Sequence, residues 1–500
     1  MAAAAAAELP VSGRVASLLL WLLVLVPPLY FSPSAKDAFR LPKQMLSEWL
    51  AVASLVPLAW SLRRVEAVRW RDLWRQPALR AVLPLLAVAS AGLLTSAHPL
   101  HVREGLADLW IGGACLVGWS AALPAGRLER LLGALPWPAV ALAALGILQF
   151  HGLQPLGLAG VRAGSRFAVT STAGNPGDLG AFLVLPCLIA QWRLARRPRA
   201  AAAAEDGPAR RAEAWRRGWL VAALAVCVYA MTLTQTFAAL TALVLGSLVL
   251  WGGALRHRAM GARRLTIAGA SLAALVLLAA GGVAAVPALA GRVKEKAAAV
   301  RQGDWNTVLT GRLDGWRAAL WMLGQHPWAG VGQGAYRAEF VPAKLALLDR
   351  GVAFPAGTQQ NFVNAHDEPL EVGADCGLPG LLAVAWALWV LGSAARSRAR
   401  EAAGAGEEDG TAAPRTLREN GTAAPRALRA DGTAARRALR AGGTAEPRAL
   451  QADGAFAAAG LTALGVLCLV DFPFRVALVA FPVLLFLSWV LRPAAAEAAA

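Results

Sequence analysis

Thr310-Gly311-Arg312-Leu313-Asp314-Gly315-Trp316-Arg317-Ala318-Ala319-Leu320-Trp321-Met322-Leu323 is followed shortly by His326-Pro327-Trp328-Ala329-Gly330-Val331-Gly332-Gln333-Gly334. Both lie in residues 290–376, the longest segment without an apolar run of spanning length, with apolar segments on either side. This segment holds nine Lys and Arg residues and two of the six His. A second polar block, Asn364-Ala365-His366-Asp367-Glu368-Pro369-Leu370-Glu371, leads into Gly377-Leu378-Pro379-Gly380. Outside this segment the 500-residue chain is a succession of apolar runs, with 57% hydrophobic residues and a mean hydropathy of +0.49. A soluble chain does not carry about a dozen runs of roughly 17–25 apolar residues. The sequence therefore predicts an all-α, polytopic transmembrane helical bundle with one large, partly helical loop.

Twelve spans are expected, at about 15–31, 46–62, 81–96, 105–123, 131–150, 177–192, 218–235, 237–254, 265–288, 377–394, 455–470 and 476–491. An even number puts both termini on one side. With the termini inside, 33 of the 49 Lys and Arg fall on the cytoplasmic side, in short basic loops that alternate with charge-poor ones. That asymmetry sets the orientation and makes residues 290–376 extracytoplasmic. It also accounts for the net charge of +18 without nucleic acid. The chain divides accordingly into helices 1–9 with short loops (1–289), the large extracytoplasmic loop (290–376), helix 10 (377–394), a basic linker (395–454) and helices 11–12 with a tail (455–500). The linker repeats with an 11-residue period: Asp409-Gly410-Thr411-Ala412-Ala413-Pro414-Arg415 recurs from Asn420 and Asp431. Gly and Pro in nearly every unit oppose a continuous helix there, and the composition reads as a disordered linker. Four of the five Cys (Cys115, Cys187, Cys227 and Cys468) lie in apolar runs, so neither a disulfide framework nor a CxxC metal pattern is expected. The spans carry few charged residues, which counts against a multi-pass transporter, since transport sites place charges at mid-depth.

Several polar residues stand out. On a wheel of about 100° per residue, Arg312 shares the stripe of Trp316, Ala319, Leu320 and Leu323. An arginine there reaches lipid phosphates by snorkelling or binds an anionic ligand. Arg166 lies in Arg162-Ala163-Gly164-Ser165-Arg166-Phe167, close to Asn175-Pro176, which signals the start of a helix. An arginine beside an exposed helix N-terminus can build an anion site, and Asn175 itself is expected to cap that helix. His366 stands between polar residues, next to Asp367 and Glu368. It reads either as a surface histidine capping the returning helix or as a base whose imidazole a neighbouring carboxylate orients. Asp471, with Arg475 four residues on, reads as a structural ion pair.

In this order, Thr310-Gly311-Arg312 with Trp316, His326-Pro327, Gly330-Val331-Gly332-Gln333-Gly334, Ala365-His366 and Gly377-Leu378-Pro379-Gly380-Leu381-Leu382 resemble the O-antigen ligase / O-antigen polymerase family of membrane glycosyltransferases. The resemblance covers about residues 160–390. It implies transfer of a glycan from a polyprenyl diphosphate carrier to an acceptor hydroxyl, on lipid A-core or another glycan, at the periplasmic face of the bacterial inner membrane. A polymerase and a protein O-oligosaccharyltransferase share these motifs. The resemblance further implies catalytic roles for His366 and Arg312 and donor binding by Arg166, Arg312, Asn175 and Trp316. Neither a cofactor nor a metal is expected, and the partners are the lipid-linked donor, the acceptor and membrane lipids. The chain departs from the family in three places. Asp367 stands where Asn is frequent, and Asp375 where Glu is usual. Leu233-Thr234-Gln235-Thr236-Phe237 lacks the arginine that many members carry between the two spans before the loop.

Overall fold

In a computed structural model, the structure describes residues 11–63, 74–155, 157, 163–196, 207–256, 287–354, 361–411, 445–471 and 473–492. These residues form helices and turns, with no strand among them. The first nine helices are α1 (Val11–Leu25), α2 (Arg40–Arg63), α3 (Pro77–Thr95), α4 (Pro99–Ala122), α5 (Ala125–Leu132), α6 (Pro136–Phe150), α7 (Pro176–Ala195), α8 (Pro208–Thr234) and α9 (Phe237–Arg256). The large loop contributes α10 (Pro287–Gln302), α11 (Trp305–Val308), α12 (Leu313–Gln325) and α13 (Tyr336–Leu348). The chain then returns through α14 (Glu368–Thr411), α15 (Ala445–Val470) and α16 (Ala477–Leu491). Proline punctuates the starts: Pro77, Pro99, Pro136, Pro176 and Pro208 each open a helix. In a first turn, the missing N–H removes a donor that has no partner within the helix anyway.

The protein is a multi-pass membrane protein. Among the described residues, seven helices are long and apolar enough to cross a bilayer: Pro77–Thr95, Pro99–Ala122, Ala125–Phe150, Pro176–Ala195, Arg210–Thr234, Glu368–Arg400 and Ala452–Val470. Ser12–Leu25, Phe237–Gly253 and Ala477–Leu491 are apolar but shorter. The expected span at 46–62 falls within α2, and the one at 265–288 lies outside the described residues except for its last two. Both ends of the expected linker are helical, because α14 continues to Thr411 and α15 begins at Ala445; residues 412–444 lie outside the described residues.

Helix α7 is the buried axis, packed by α6, α8, α9, α15 and α16. Lipid tails are as apolar as Leu, so close packing rather than water exclusion holds such a bundle together. Trp192 stacks on Phe456 (4.5 Å between ring centroids); Trp489 packs against both, and Phe486 against Phe456 and Trp489. Polar groups tie the same end of the bundle. Trp192 Nε1 donates to Asp453 Oδ1 at 2.9 Å. Arg196 bridges Asp453 (3.3 Å) and Glu129 (2.6 Å).

At the opposite end, which carries residues 290–376, the large loop is fastened to the spans. Helix α14 breaks at Gly377 (φ 66°, ψ −164°), where a Cβ would lie 2.6 Å from the Pro327 carbonyl oxygen. Into this break docks the Gly330–Gly334 turn. Val331 N–H donates to Ala374 O and Gly332 N–H to Asp375 O. The Asp375 carboxylate accepts from the backbone N–H groups of Gly334 (2.7 Å) and Tyr336 (3.0 Å). Ser96, at the end of α3, donates to Val331 O at 2.6 Å. Gly332 (φ 108°) sits so close to α3 that a Cβ would meet Ser96 Oγ at 2.6 Å. The glycine-rich turn is thus a clamp between α3, α4 and α14.

Candidate functional site

The end of the bundle that bears this clamp gathers residues from seven segments. Asn175 caps α7, its side-chain oxygen accepting from Gly177 N–H at 2.7 Å, as the Asn-Pro signal predicts. Just before it, residues 166–173 form two 3-10 turns packed on α6, α7 and α8. Lys43 of α2, buried beneath them, donates to the carbonyls of Tyr30 and Thr172. Arg40 grips Asp178 of α7 through two bonds, at 2.8 and 2.9 Å. A planar fork on a carboxylate is the geometry that locks two elements in register.

Arg166 and Arg312 share an unusual situation. Each has a buried Nε with no hydrogen-bond partner among the described residues. Burial pushes Arg166 down to about 10, and the positive charges of Arg292 and Arg312 add to the fall. Arg312 is lowered as well by burial, while Asp471 acts in the opposite sense. A buried cation without a bonded partner costs stability unless something supplies the missing acceptors. The wheel reading of Arg312 needs correction. Thr310 (φ 61°) and Gly311 (φ 81°) are left-handed, so the helix starts at Leu313 and Arg312 is its N-cap rather than part of its apolar stripe. The buried face of α12 runs instead through Asp314, Gly315, Ala318, Ala319 and Met322. Trp316 lies one turn beyond Arg312, its indole Nε1 also buried and without a hydrogen-bond partner.

His366 is itself left-handed (φ 57°) and half-buried, its ring edge-on to Phe362. The adjacent acids do not orient it. Asp367 caps α14, accepting from Leu370 N–H at 2.8 Å, and burial raises its pKa. Glu368 accepts from Phe474 N–H. The carboxylate facing the imidazole is Asp471, whose Oδ1 lies 3.9 Å from His366 Nδ1. Arg475, expected opposite Asp471, reaches Glu371 at 3.0 Å and Asp375 at 3.5 Å. Burial would lower the Arg475 pKa, but Glu371, Glu368 and Asp375 raise it further. Glu371, 1% exposed, also accepts from Asn364 Nδ2 (3.0 Å) and Ala365 N–H (2.8 Å). It fixes the backbone just before His366.

Among the described residues, the non-glycine positions with positive φ are Ser171, Gln235, Thr310 and His366. All four fall in segments that build this end: the 166–176 turns, the α8–α9 corner, the start of α12 and the start of α14. Strained backbone persists where surrounding structure over-determines it, and it concentrates at functional sites. The arginine missing from the α8–α9 corner has a substitute in space. Arg292 of α10 donates to Gln235 O at 3.1 Å and lies over the Phe237 ring. Lys296, one turn on, donates to Thr307 O, Val308 O and Thr310 Oγ1. Neither was singled out from the sequence, although their i, i+4 spacing puts two cations on one helical face. Among the described residues, no three His, Cys, Asp or Glu side chains converge as a metal site would require.

The assembly offers cations with unused donors on one side, and on the other an imidazole backed by a carboxylate. Residues 220–385 match the family model described as O-Antigen ligase. No curated protein matches the chain.

Proposed function

We propose that this chain, which residues 220–385 assign to the O-antigen ligase family, transfers a glycan from a polyprenyl diphosphate carrier to an acceptor hydroxyl at the periplasmic face of the bacterial inner membrane. The observation that carries the reading is the pair of buried guanidinium Nε atoms, on Arg166 and Arg312, that lack an acceptor. In the reaction, the bond between the sugar C1 and the diphosphate oxygen breaks as the acceptor oxygen bonds to C1. The electron pair of the broken bond stays on the diphosphate, which gains negative charge. Arginines are suited to this group because their planar forks bind phosphoryl oxygens in pairs. Aimed beforehand at the leaving oxygens, they stabilise the transition state without reorganising.

The proton of the acceptor hydroxyl goes to His366. Asp471, on the Nδ1 side, orients the ring and stabilises the imidazolium that forms, leaving Nε2 to face the acceptor. Trp316 and Asn175 border the site, Trp316 with an unused N–H for a donor oxygen. Asn175 contributes through the α7 cap, which holds the Arg166 segment in place. The reaction so read needs no metal, since side-chain cations balance the diphosphate. Orientation follows the charge asymmetry of the loops, with both termini cytoplasmic.

Replacing His366 with Ala tests the base. With purified protein and a lipid-linked glycan, transfer should fall by roughly 10²–10⁴-fold, the usual contribution of a positioned general base. Donor binding should be retained. A variant that keeps more than about a tenth of the rate removes His366 from proton transfer.

A further inference from the structure

We infer that Arg292 binds the diphosphate as a third arginine, that Lys296 positions the turn carrying Arg312, and that the cluster selects a diphosphate over a single phosphate. This rests on the transfer reaction proposed above. Arg292 donates to one carbonyl, that of Gln235, and a guanidinium has five N–H donors. Its charge is felt by Arg166 and by Lys296, and both of these are also affected by Arg312. The four cations are therefore close enough to repel one another. The carboxylates whose charge reaches them are Glu295 and Asp471. Cations outnumber the carboxylates that act on them, and this excess of positive charge suits a diphosphate.

A second observation is independent of charge. Arg166 Nε, Arg312 Nε, Trp316 Nε1 and Gln235 Nε2 are buried with no hydrogen-bond partner among the described residues. All four are N–H donors. Gln235 is only 2% exposed and sits in the left-handed conformation that presents its carbonyl to Arg292. Unmatched donors brought together call for a ligand rich in acceptors and poor in donors, as a diphosphate is. The donors come from two groups of segments: Arg166 and Gln235 from the turns before α7 and between α8 and α9, with Arg292 of α10 bonded to that corner, and Arg312 and Trp316 from the start of α12. One phosphoryl group can thus engage each set of donors. Lys296 makes three hydrogen bonds to three acceptors around Thr310. Its donors are used, so its part is to hold the left-handed turn from which Arg312 projects.

The test uses the full chain in phosphatidylcholine nanodiscs, with geranyl diphosphate and geranyl monophosphate as probes in calorimetry. The wild-type protein should prefer the diphosphate by about tenfold or more. Arg292→Gln should weaken diphosphate binding by roughly 10–100-fold, the scale of lost charge-assisted hydrogen bonds, and erase the preference. Arg292→Lys should recover only part of it. Phe237→Leu removes the ring beneath both Arg292 and Lys296 but no charge, and should leave affinity within about threefold. Equal losses for Phe237→Leu and Arg292→Gln would make Arg292 a strut and overturn the inference. So would wild-type affinity in Arg292→Gln or in Arg292→Lys. If Arg312→Gln alone loses binding, the transfer reaction stands without Arg292; if neither variant loses it, both readings fall. In phosphatidylglycerol nanodiscs affinity should hold, whereas a more than tenfold drop would assign the cluster to lipid headgroups.

Discussion

Replacing Arg312 with lysine separates a ligand-binding role from a structural one. The structure gives opposite signs for activity and stability. For stability, the Arg312 Nε has no hydrogen-bond partner among the described residues, and burial lowers the pKa of the group. Removing a buried charge without bonded partners forfeits little, and an apolar replacement of similar shape is neutral or stabilising. Arg312→Met should therefore keep or raise the thermal midpoint. For activity, lysine keeps the charge but loses the fork. A charge-assisted hydrogen bond contributes about 1.5–3 kcal/mol. At about 1.4 kcal/mol per factor of ten, Arg312→Lys should lose roughly 10–150-fold in kcat/KM. The assay is transfer from a lipid-linked glycan by purified protein, paired with a thermal melt in the same detergent. Near-normal transfer by the lysine variant would return Arg312 to lipid snorkelling. A clear fall in the midpoint of Arg312→Met would show that the guanidinium holds the fold instead.

The remaining expectations concern the surroundings of that arginine. Glu371→Ala leaves Arg475 with one fewer carboxylate and Ala365 N–H without its acceptor. Breaking such a buried pair costs about 3–5 kcal/mol, which denaturant or thermal unfolding should register; an unchanged midpoint would dismiss Glu371 as the anchor of the His366 turn. Asp471→Asn keeps the shape and removes the charge facing His366. Transfer should drop by at least about tenfold while donor affinity changes little, and wild-type turnover would rule out Asp471 as the orienting group. For orientation, an impermeant thiol reagent on intact cells should label a cysteine placed at Asp349 and spare one at Gly126, both exposed positions. The reverse pattern would turn the site toward the cytoplasm.

The helices were legible because a bilayer allows few alternatives: long apolar runs must hydrogen-bond internally. Asn175-Pro176 also spoke for itself, since capping is local chemistry. Arg312 was misplaced because a wheel assumes that the helix has already begun. The break at Thr310-Gly311 is a backbone event that composition does not announce. The partner of His366 was illegible for another reason. Asp367 and Glu368 were the acids at hand, but the first turn of α14 takes Asp367 as its cap. The carboxylate that faces the ring comes from Asp471, more than a hundred residues later. The i, i+4 spacing of Asp471 and Arg475 predicts an ion pair, whereas Arg475 turns to the carboxylates at the start of α14. The i, i+4 pair Arg292 and Lys296 was visible as a pattern, but its meaning depends on which turn α10 lies against.

The donors left without acceptors at the site also bear on turnover. In the proposed transfer, a nest of N–H groups and positive charge that favours the transition state also favours the spent carrier, because the diphosphate gains negative charge once the glycan has left. Such a centre holds its by-product more tightly than its substrate. In the proposed reaction, departure of the emptied lipid is then a slow step beside the chemistry. Added spent carrier should then act as a competitive inhibitor, and an enzyme that strips one phosphate from it should speed the next round.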